Sequence, residues 1–256
     1  MSTAALFDIR GKVALVSGAS GALGSAVARG LADAGARVML TGRETSRLTP
    51  LAEAIARDGG CAAVAAGDPT DLDAVRGVVG ASVRELGELD ILVTAAGMNA
   101  PGPIIDQEPD EWDAVVDSQL KTTWLLCKEA GRAMIEAGRG GKVVLVGSQR
   151  GERGMANYSA YCPAKAAVHL LARSLACEWG PHDIQVNCLA PGLFRSDLTA
   201  WMWDDREVST RMLARVPHGR LGEPADFVGP VIFLASAASD WMTGAILHVD
   251  GGYTAG

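Results

Sequence analysis

A doubly wound α/β fold, with a parallel sheet of about seven strands covered by helices on both faces, is predicted by two regularities of the sequence. Short β-branched apolar runs alternate with longer Ala-rich stretches of helical character, and the apolar runs are nearly continuous instead of alternating polar with apolar. Continuous runs mean that both faces of each strand are covered, which is the habit of parallel sheets. Right-handed crossovers then make a doubly wound sheet the economical topology.

The elements follow in order. The strand KVALVS (12–17) leads into the helix ALGSAVARGLADAG (22–35), the strand ARVMLTG (36–42), a helix over Glu44–Arg57 and the strand CAAVAAG (61–67). This is a βαβαβ unit. The alternation continues through a helix over Asp71–Leu86, the strand LDILVTA, a long helix over Glu111–Ala137, the strand KVVLVGS, a helix over Ala156–Trp179 and the strand IQVNCLA. No repeat, low-complexity run or long linker interrupts it, so residues 1–256 read as one domain.

The composition excludes several function classes. At 48% hydrophobic and 21% charged residues it is globular, and the longest apolar runs, such as KVVLV and FVGPVIFLA, are too short or too broken to span a bilayer. A net charge of -7 argues against a nucleic-acid partner, which needs a concentrated basic face. The start MSTAALFDIR has neither a basic segment nor a long apolar one, so the expected location is cytoplasmic. The cysteines at 61, 127, 162, 177 and 188 form no Cys-x-x-Cys pair and read as reduced, mostly buried thiols. The histidines at 169, 182, 218 and 248 show no ligand spacing, and no metal is predicted.

The first strand-to-helix turn reads SGASGALG, residues 17–24. Glycine there lets the backbone approach a pyrophosphate and offers it helix N-terminal N–H groups; the competing reading is a tight turn that permits strand–helix packing. The glycines at 18, 21 and 24 depart from G-x-G-x-x-G. At the end of the second strand, MLTGRET puts Thr41 and Gly42 where a dinucleotide domain for a free ribose would carry an acid, and Arg43 follows, which favours NADP over NAD. Glu44 pulls the other way, since it could meet the ribose itself, and Arg43 also reads as a solvated helix-start cation.

Beyond the KVVLV run, Ser148 stands at the carboxyl end of a strand, the edge where ligands bind in open α/β sheets. Tyr161 and Lys165 are four apart and share a helix face, so the ammonium can favour the phenolate and bring the phenol toward acid/base service. Tyr158 with Cys162 shows the same spacing without such a role. The weight comes from the combination: a Gly-rich turn, a strand-end serine, then a tyrosine and a lysine one turn apart.

On these residues the chain resembles the short-chain dehydrogenase/reductase family over nearly its whole length, which implies a Rossmann fold. SGASGALG is similar to that family's Gly-rich turn, and Ser148, Tyr161 and Lys165 match its catalytic residues. Asp68-Pro69, Ala96-Gly97, Pro191-Gly192 and the ending HVDGGYT match further motifs. The resemblance implies cofactor contacts from Gly18, Ser20, Gly21, Leu23 and Gly24 on the first turn. It places Asp68 with Pro69 at the adenine, Ala95, Ala96 and Gly97 on the ribose side, and Pro191, Gly192, Phe194 and Ser196 at the nicotinamide carboxamide. Lys165 would bind the nicotinamide ribose and lower the Tyr161 pKa, and a homotetramer is implied, with the helices near 111–137 and 156–179 at one interface. Two positions depart from the pattern. Thr94-Ala95-Ala96-Gly97 replaces Asn-Asn-Ala-Gly, so support for the sheet must come from elsewhere. Gln119 stands where the family has an Asn whose main chain holds a relay water, and it reads equally as a catalytic amide or an ordinary helix amide.

The implied reaction interconverts a carbonyl and a secondary alcohol, with Tyr161 as general acid/base and Ser148 holding the oxygen. The wording is most similar to gluconate-type dehydrogenases and 3-oxoacyl-carrier-protein reductases. Arg150, Arg153 and Arg195 suggest an anionic substrate, with solvent or subunit contacts as the alternative. The segment around 193–216 is the expected substrate lid, in which Trp201, Met202 and Trp203 either line a pocket or pin the lid. A non-catalytic NADP(H) sensor of the same fold is the reading from another class.

Overall fold

Continuous apolar strands are explained by where their two faces go. In the computed structural model, which describes residues 2–196, 199 and 206–256, seven parallel strands run in the order β3-β2-β1-β4-β5-β6-β7. These are β1 (Val13–Ser17), β2 (Arg37–Gly42), β3 (Cys61–Ala66), β4 (Ile91–Thr94), β5 (Gly141–Val146), β6 (Ile184–Pro191) and β7 (Ile246–Val249). Helices α1 (Thr3–Leu6), α2 (Ala22–Asp33), α3 (Thr45–Arg57), α4 (Leu72–Leu86), α5 (Pro109–Val116), α6 (Thr122–Ala137) and α7 (Tyr161–Trp179) are joined by two more, Arg206–Leu213 and Val228–Ala235.

Successive residues of one strand enter opposite layers. In β1, Val13 and Leu15 pack with α4, α6 and α7, whereas Ala14 and Val16 pack with α2, α3 and the helix Val228–Ala235. Leu92 in β4 joins the first layer, and Ile91 and Val93 join the second. Each such side chain removed from water contributes about 1.5–3 kcal/mol, so a polar residue on either face would be costly.

Two helices differ from the sequence prediction. The long helix expected over Glu111–Ala137 is interrupted by a π-helical turn, Asp117–Lys121, between α5 and α6, and Gln119 lies in that turn. An inserted turn of this kind re-aims side chains without ending the helix, and the 3.6-residue periodicity does not reveal it. The helix expected from Ala156 begins instead at Tyr161. Asn157 is the reason: its φ of 69° is left-handed, and the segment before α7 forms turns. Tyr161 is therefore placed in the first turn of α7. Of the expected lid, residues 197, 198 and 200–205, including Trp201, Met202 and Trp203, lie outside the described residues.

Thr94, where the family pattern has an amide, has a buried hydroxyl with no partner among the described residues. Support comes from two other side chains. Asp90 accepts from the Val13 amide at 2.9 Å and pairs with Lys12 at 3.0 Å and Arg139 at 3.1 Å, joining the amino ends of β1 and β4 to the segment before β5. Asn187 in β6 donates to the Met242 carbonyl at 2.7 Å and accepts from the Ala245 amide at 3.0 Å, fixing the turn that starts β7. Because Asn187 is 1% exposed, Asn187→Ala would strand both backbone groups. A loss of about 2–4 kcal/mol is expected from urea unfolding; a loss under about 0.5 kcal/mol would show that β7 is held by its ladder alone.

Candidate active site

The strand order reverses between β1 and β4, and a crevice opens at their carboxyl ends. Gly18 closes the floor with φ +65°, and a Cβ there would lie 2.6 Å from the Ala96 amide nitrogen and 2.7 Å from the Ala95 carbonyl oxygen. A Cβ on Gly24 would lie 2.2 Å from the Gly18 carbonyl oxygen. Both neighbours are backbone, so neither position admits a side chain. Gly21 caps α2 without a side-chain bond, which leaves the first amides of that helix free for an anion. The cavity is about 580 Å³, and Gly18, Ser20, Gly21, Leu23 and Gly24 all line it.

The far end of the crevice carries the charged groups. Arg43 lines it, as does Arg47 one helical turn later, whereas Glu44 does not. Asp68 and Pro69 also line the wall. The Thr70 amide and hydroxyl, at 2.9 and 2.7 Å from the Asp68 carboxylate, hold it below the usual carboxylate range, with a smaller pull from Arg43 and Lys121. Ala95, Ala96, Gly97 and Ser196 line the inner end. The buried hydroxyls of Ser17 and Thr122 face the cavity and have no partner among the described residues. A bare glycine floor, free helix amides, two arginines and unpartnered hydroxyls fit a phosphorylated dinucleotide.

One face of α7, packed against the end of β5, carries the candidate groups. Tyr161, Lys165 and His169 are spaced one turn apart. The Lys165 ammonium donates to the Val146 carbonyl at 2.7 Å, and the Ser148 amide donates to His169 Nε2 at 3.4 Å. These two bonds bracket Gly147, where a Cβ would lie 2.5 Å from His169 Nε2 and 2.6 Å from Cys188 Sγ. Ser148 is thereby held at the strand edge, 5% exposed, its hydroxyl accepting from the Arg150 amide at 3.1 Å.

The spacing of Tyr161 and Lys165 leads to the expectation of a lowered phenol pKa, and the structure reverses its sign. Burial pushes the Tyr161 phenol up to about 12, opposed by a hydrogen bond from Ser148 and, more weakly, by the charge of Arg150. The Lys165 ammonium, 5.8 Å from the Tyr161 ring centre, is turned to Val146, and its own pKa is lowered by burial to about 8. Tyr158 stacks edge-on against Tyr161 with ring centres 5.9 Å apart.

The remaining candidates are more scattered. Gln119 is 2% exposed and donates to the Met98 carbonyl at 2.6 Å; its backbone carbonyl accepts from the Thr123 hydroxyl at 2.7 Å. A Cβ on Gly97 would lie 2.3 Å from the Gln119 side-chain oxygen, so this amide ties the loop after β4 to the π-turn. Pro191 ends β6 opposite Val249, and Gly192 admits the close approach of Asp250, 2.6 Å from where its Cβ would be. Phe194 packs edge-on against Phe227 in the core, with ring centres 5.6 Å apart. Arg195 is ion-paired with Glu223 at 2.7 Å, and Arg153 donates to the carbonyls of Thr254 and Gly256 at 2.7 and 2.9 Å. Among the described residues no cluster of His, Cys, Asp and Glu could hold a metal ion.

The sequence from residue 18 to 254 matches the family described as enoyl-(acyl carrier protein) reductase. The chain belongs to the short-chain dehydrogenase/reductase family. An uncharacterised oxidoreductase of Mycobacterium tuberculosis is 46% identical over 256 residues, covering 98% of this chain and 94% of the relative. Gluconate 5-dehydrogenase of Gluconobacter oxydans is 36% identical, with 99% of each chain covered. A crystal structure of a gluconate 5-dehydrogenase from Burkholderia cenocepacia in complex with NADP and tartrate superposes with a TM-score of 0.96 at 33% identity, covering 100% of both chains.

Within this dehydrogenase fold, sequence reasoning missed His169 and Arg47. Each stands four residues after a residue already singled out, Lys165 and Arg43, and the helical spacing was the available signal. Burial lowers the His169 pKa from 6.5 to about 4, with Glu152 opposing and His248, Lys165 and Arg173 adding to the fall. The unfolded chain takes up this proton near 6.5 and the folded chain only near 4. The stability from neutral His169 is thus complete above about pH 6.5 and is lost as pH falls toward 4, by at most about 3 kcal/mol. Urea midpoints from pH 7 to 4 should fall more steeply in wild type than in His169→Gln; parallel slopes would contradict this assignment.

Proposed function

We propose that this chain is an NADP-dependent oxidoreductase that interconverts a ketone or aldehyde and the corresponding alcohol, with binding and catalysis in one domain. The observation that carries this reading is the meeting of Ser148, Tyr161 and Lys165 at the end of β5, the strand next to β4, whose end borders a crevice with a glycine floor; none of the three lines that crevice itself. Family membership supports the same reaction class.

Gly18, Ser20, Gly21, Leu23 and Gly24 would hold the pyrophosphate, and Arg43 with Arg47 a 2′-phosphate. Asp68 and Pro69 would border the adenine, Ala95 to Gly97 the ribose side, and Pro191, Gly192, Phe194 and Ser196 the carboxamide. When bound, NADPH supplies the hydride. Ser148 and Tyr161 hydrogen-bond the substrate oxygen, and Tyr161 gives its proton to that oxygen as charge develops there. A phenol with a pKa near 12 is fully protonated at neutral pH and more acidic than an alcohol, so the transfer is favourable in this direction. Lys165 supplies the nearby positive charge that stabilises the phenolate left behind. Gln119 holds the loop after β4 in register. In reverse, the phenolate takes the alcohol proton.

A homotetramer in the cytoplasm is the assembly and place we infer. It is supported by the exposed apolar side chains Trp124 on α6 and Leu170 on α7, 47% and 61% exposed, on the helices expected at an interface. No helix among the described residues is long and apolar enough to cross a membrane.

Two variants test the reading together. Tyr161→Phe is expected to lower kcat by about 10²–10⁴-fold in NADPH oxidation with ketones while cofactor binding is retained. Arg43→Ala should weaken NADPH by about tenfold or more and NADH much less, measured by fluorescence titration. Cofactor binding with no Tyr161-dependent turnover would favour the sensor instead.

A further inference from the structure

Buried charged side chains are few among the described residues: Glu129, Arg150, Lys165 and His169. Glu129 pairs with Arg76 and Arg132 at 3.5 and 3.6 Å, and Lys165 and His169 clamp the end of β5. Arg150 is 8% exposed and is assigned no task by the mechanism above. Its guanidinium donates to the Tyr253 hydroxyl at 3.1 Å and lies 5.4 Å from the centre of that ring. No carboxylate among the described residues pairs with it. Glu152, close in sequence, pairs with His248 at 3.2 Å, and the Asp250 carboxylate is taken by Gly252 and Thr254.

The position of this cation is specific. Its own amide meets the Ser148 hydroxyl, and its charge opposes the rise that burial imposes on the phenols of Tyr158 and Tyr161 and on the Cys162 thiol. Tyr253 belongs to the apolar cluster with Met212 and Val216, in the last part of the expected lid segment, and Arg215 stands over the same ring at 4.7 Å. The guanidinium is thus tied to Tyr253 and its apolar cluster while its backbone meets the Ser148 hydroxyl, near enough to act on the Tyr161 phenol. A buried guanidinium remains charged and carries five donors, of which Tyr253 takes one. Leaving such a charge without an anion is costly, and a bound carboxylate removes the cost with two parallel hydrogen bonds.

We propose that Arg150 binds the carboxylate of the substrate, so that the carbonyl or hydroxyl presented to Ser148 and Tyr161 belongs to a keto acid or hydroxy acid. Tyr253 holds the guanidinium in place. This assignment rests on the oxidoreductase reading and narrows its substrate class to carboxylates.

The test has a kinetic arm and a binding arm on the full-length protein. In the first, NADPH oxidation is followed with a panel of keto acids, 5-ketogluconate among them, and with the primary amide of each. Wild type should prefer acid to amide at least tenfold in kcat/KM. In Arg150→Gln the ratio should fall toward one, chiefly through KM, while Arg150→Lys and Tyr253→Phe keep part of it. In the second, tartrate should raise the Tm of the NADP-bound wild type and its uncharged analogue threitol should not; Arg150→Gln should lose the tartrate shift. NADP binding by each variant verifies its fold. An unchanged acid-to-amide ratio and an unchanged tartrate shift in Arg150→Gln would overturn the assignment, even with ketones turned over normally. Conversely, an Arg150-dependent tartrate shift without turnover of any panel member would uphold the anion site and overturn the reductase reading.

Discussion

Two hydrogen bonds from one face of α7 to the end of β5 govern the geometry of the site. Lys165 takes the Val146 carbonyl and His169 takes the Ser148 amide, at 2.7 and 3.4 Å. The residue between them must be glycine, because the imidazole and the Cys188 sulfur occupy the space a methyl would need. With the helix locked to the strand, Tyr161 in its first turn is brought to Ser148, and the left-handed Asn157 sets where that turn begins. The chemistry therefore depends on a helix start and a strand end held in fixed relation, a more precise support than a loop provides.

Burial is the largest cause of the shifts of Tyr161, Lys165 and His169. It raises the Tyr161 phenol to about 12, lowers the Lys165 ammonium to about 8 and lowers the His169 imidazole to about 4. A dry site costs the protein its charged forms, but it strengthens the interactions that remain. The Ser148 hydrogen bond and the Arg150 charge oppose the rise in Tyr161, and both come from the turn that follows β5. The proposed proton donor, oxygen holder and anion reader are in this way supplied by two segments, 148–150 and 161–165.

Much of this was legible in the sequence. The strands were, because burial on both faces leaves near-continuous apolar runs, and the crevice was, because Gly18 and Gly24 face backbone atoms that no side chain could approach. That Ser148, Tyr161 and Lys165 come together was readable from their order and spacing. The start of α7 was not, since Asn157 in a left-handed conformation carries no periodic signal. Neither was the π-turn at Gln119. The three arginines looked alike in sequence, yet one is a surface ion pair, one holds the carboxyl-terminal tail and Arg150 is buried; that division depends on Tyr253 and Glu223, distant in the chain. Phe194, grouped in sequence with cofactor contacts, sends its ring into the core because Phe227 and Gly222 receive it there. The sign of the Tyr161 shift was missed because spacing reports the neighbouring cation and is silent about desolvation.

The most direct test of the account is the ionisation of Tyr161 itself, followed by NMR of protein carrying ¹³C-labelled tyrosine. With three tyrosines in the chain, loss of one resonance in Tyr161→Phe makes the assignment. In the cofactor-free protein the account predicts that the Tyr161 resonance stays that of a phenol beyond pH 10, titrating toward about 12. A phenolate forming between about pH 7 and 9 would contradict it, because the neighbouring ammonium and not burial would then set the proton affinity of the site.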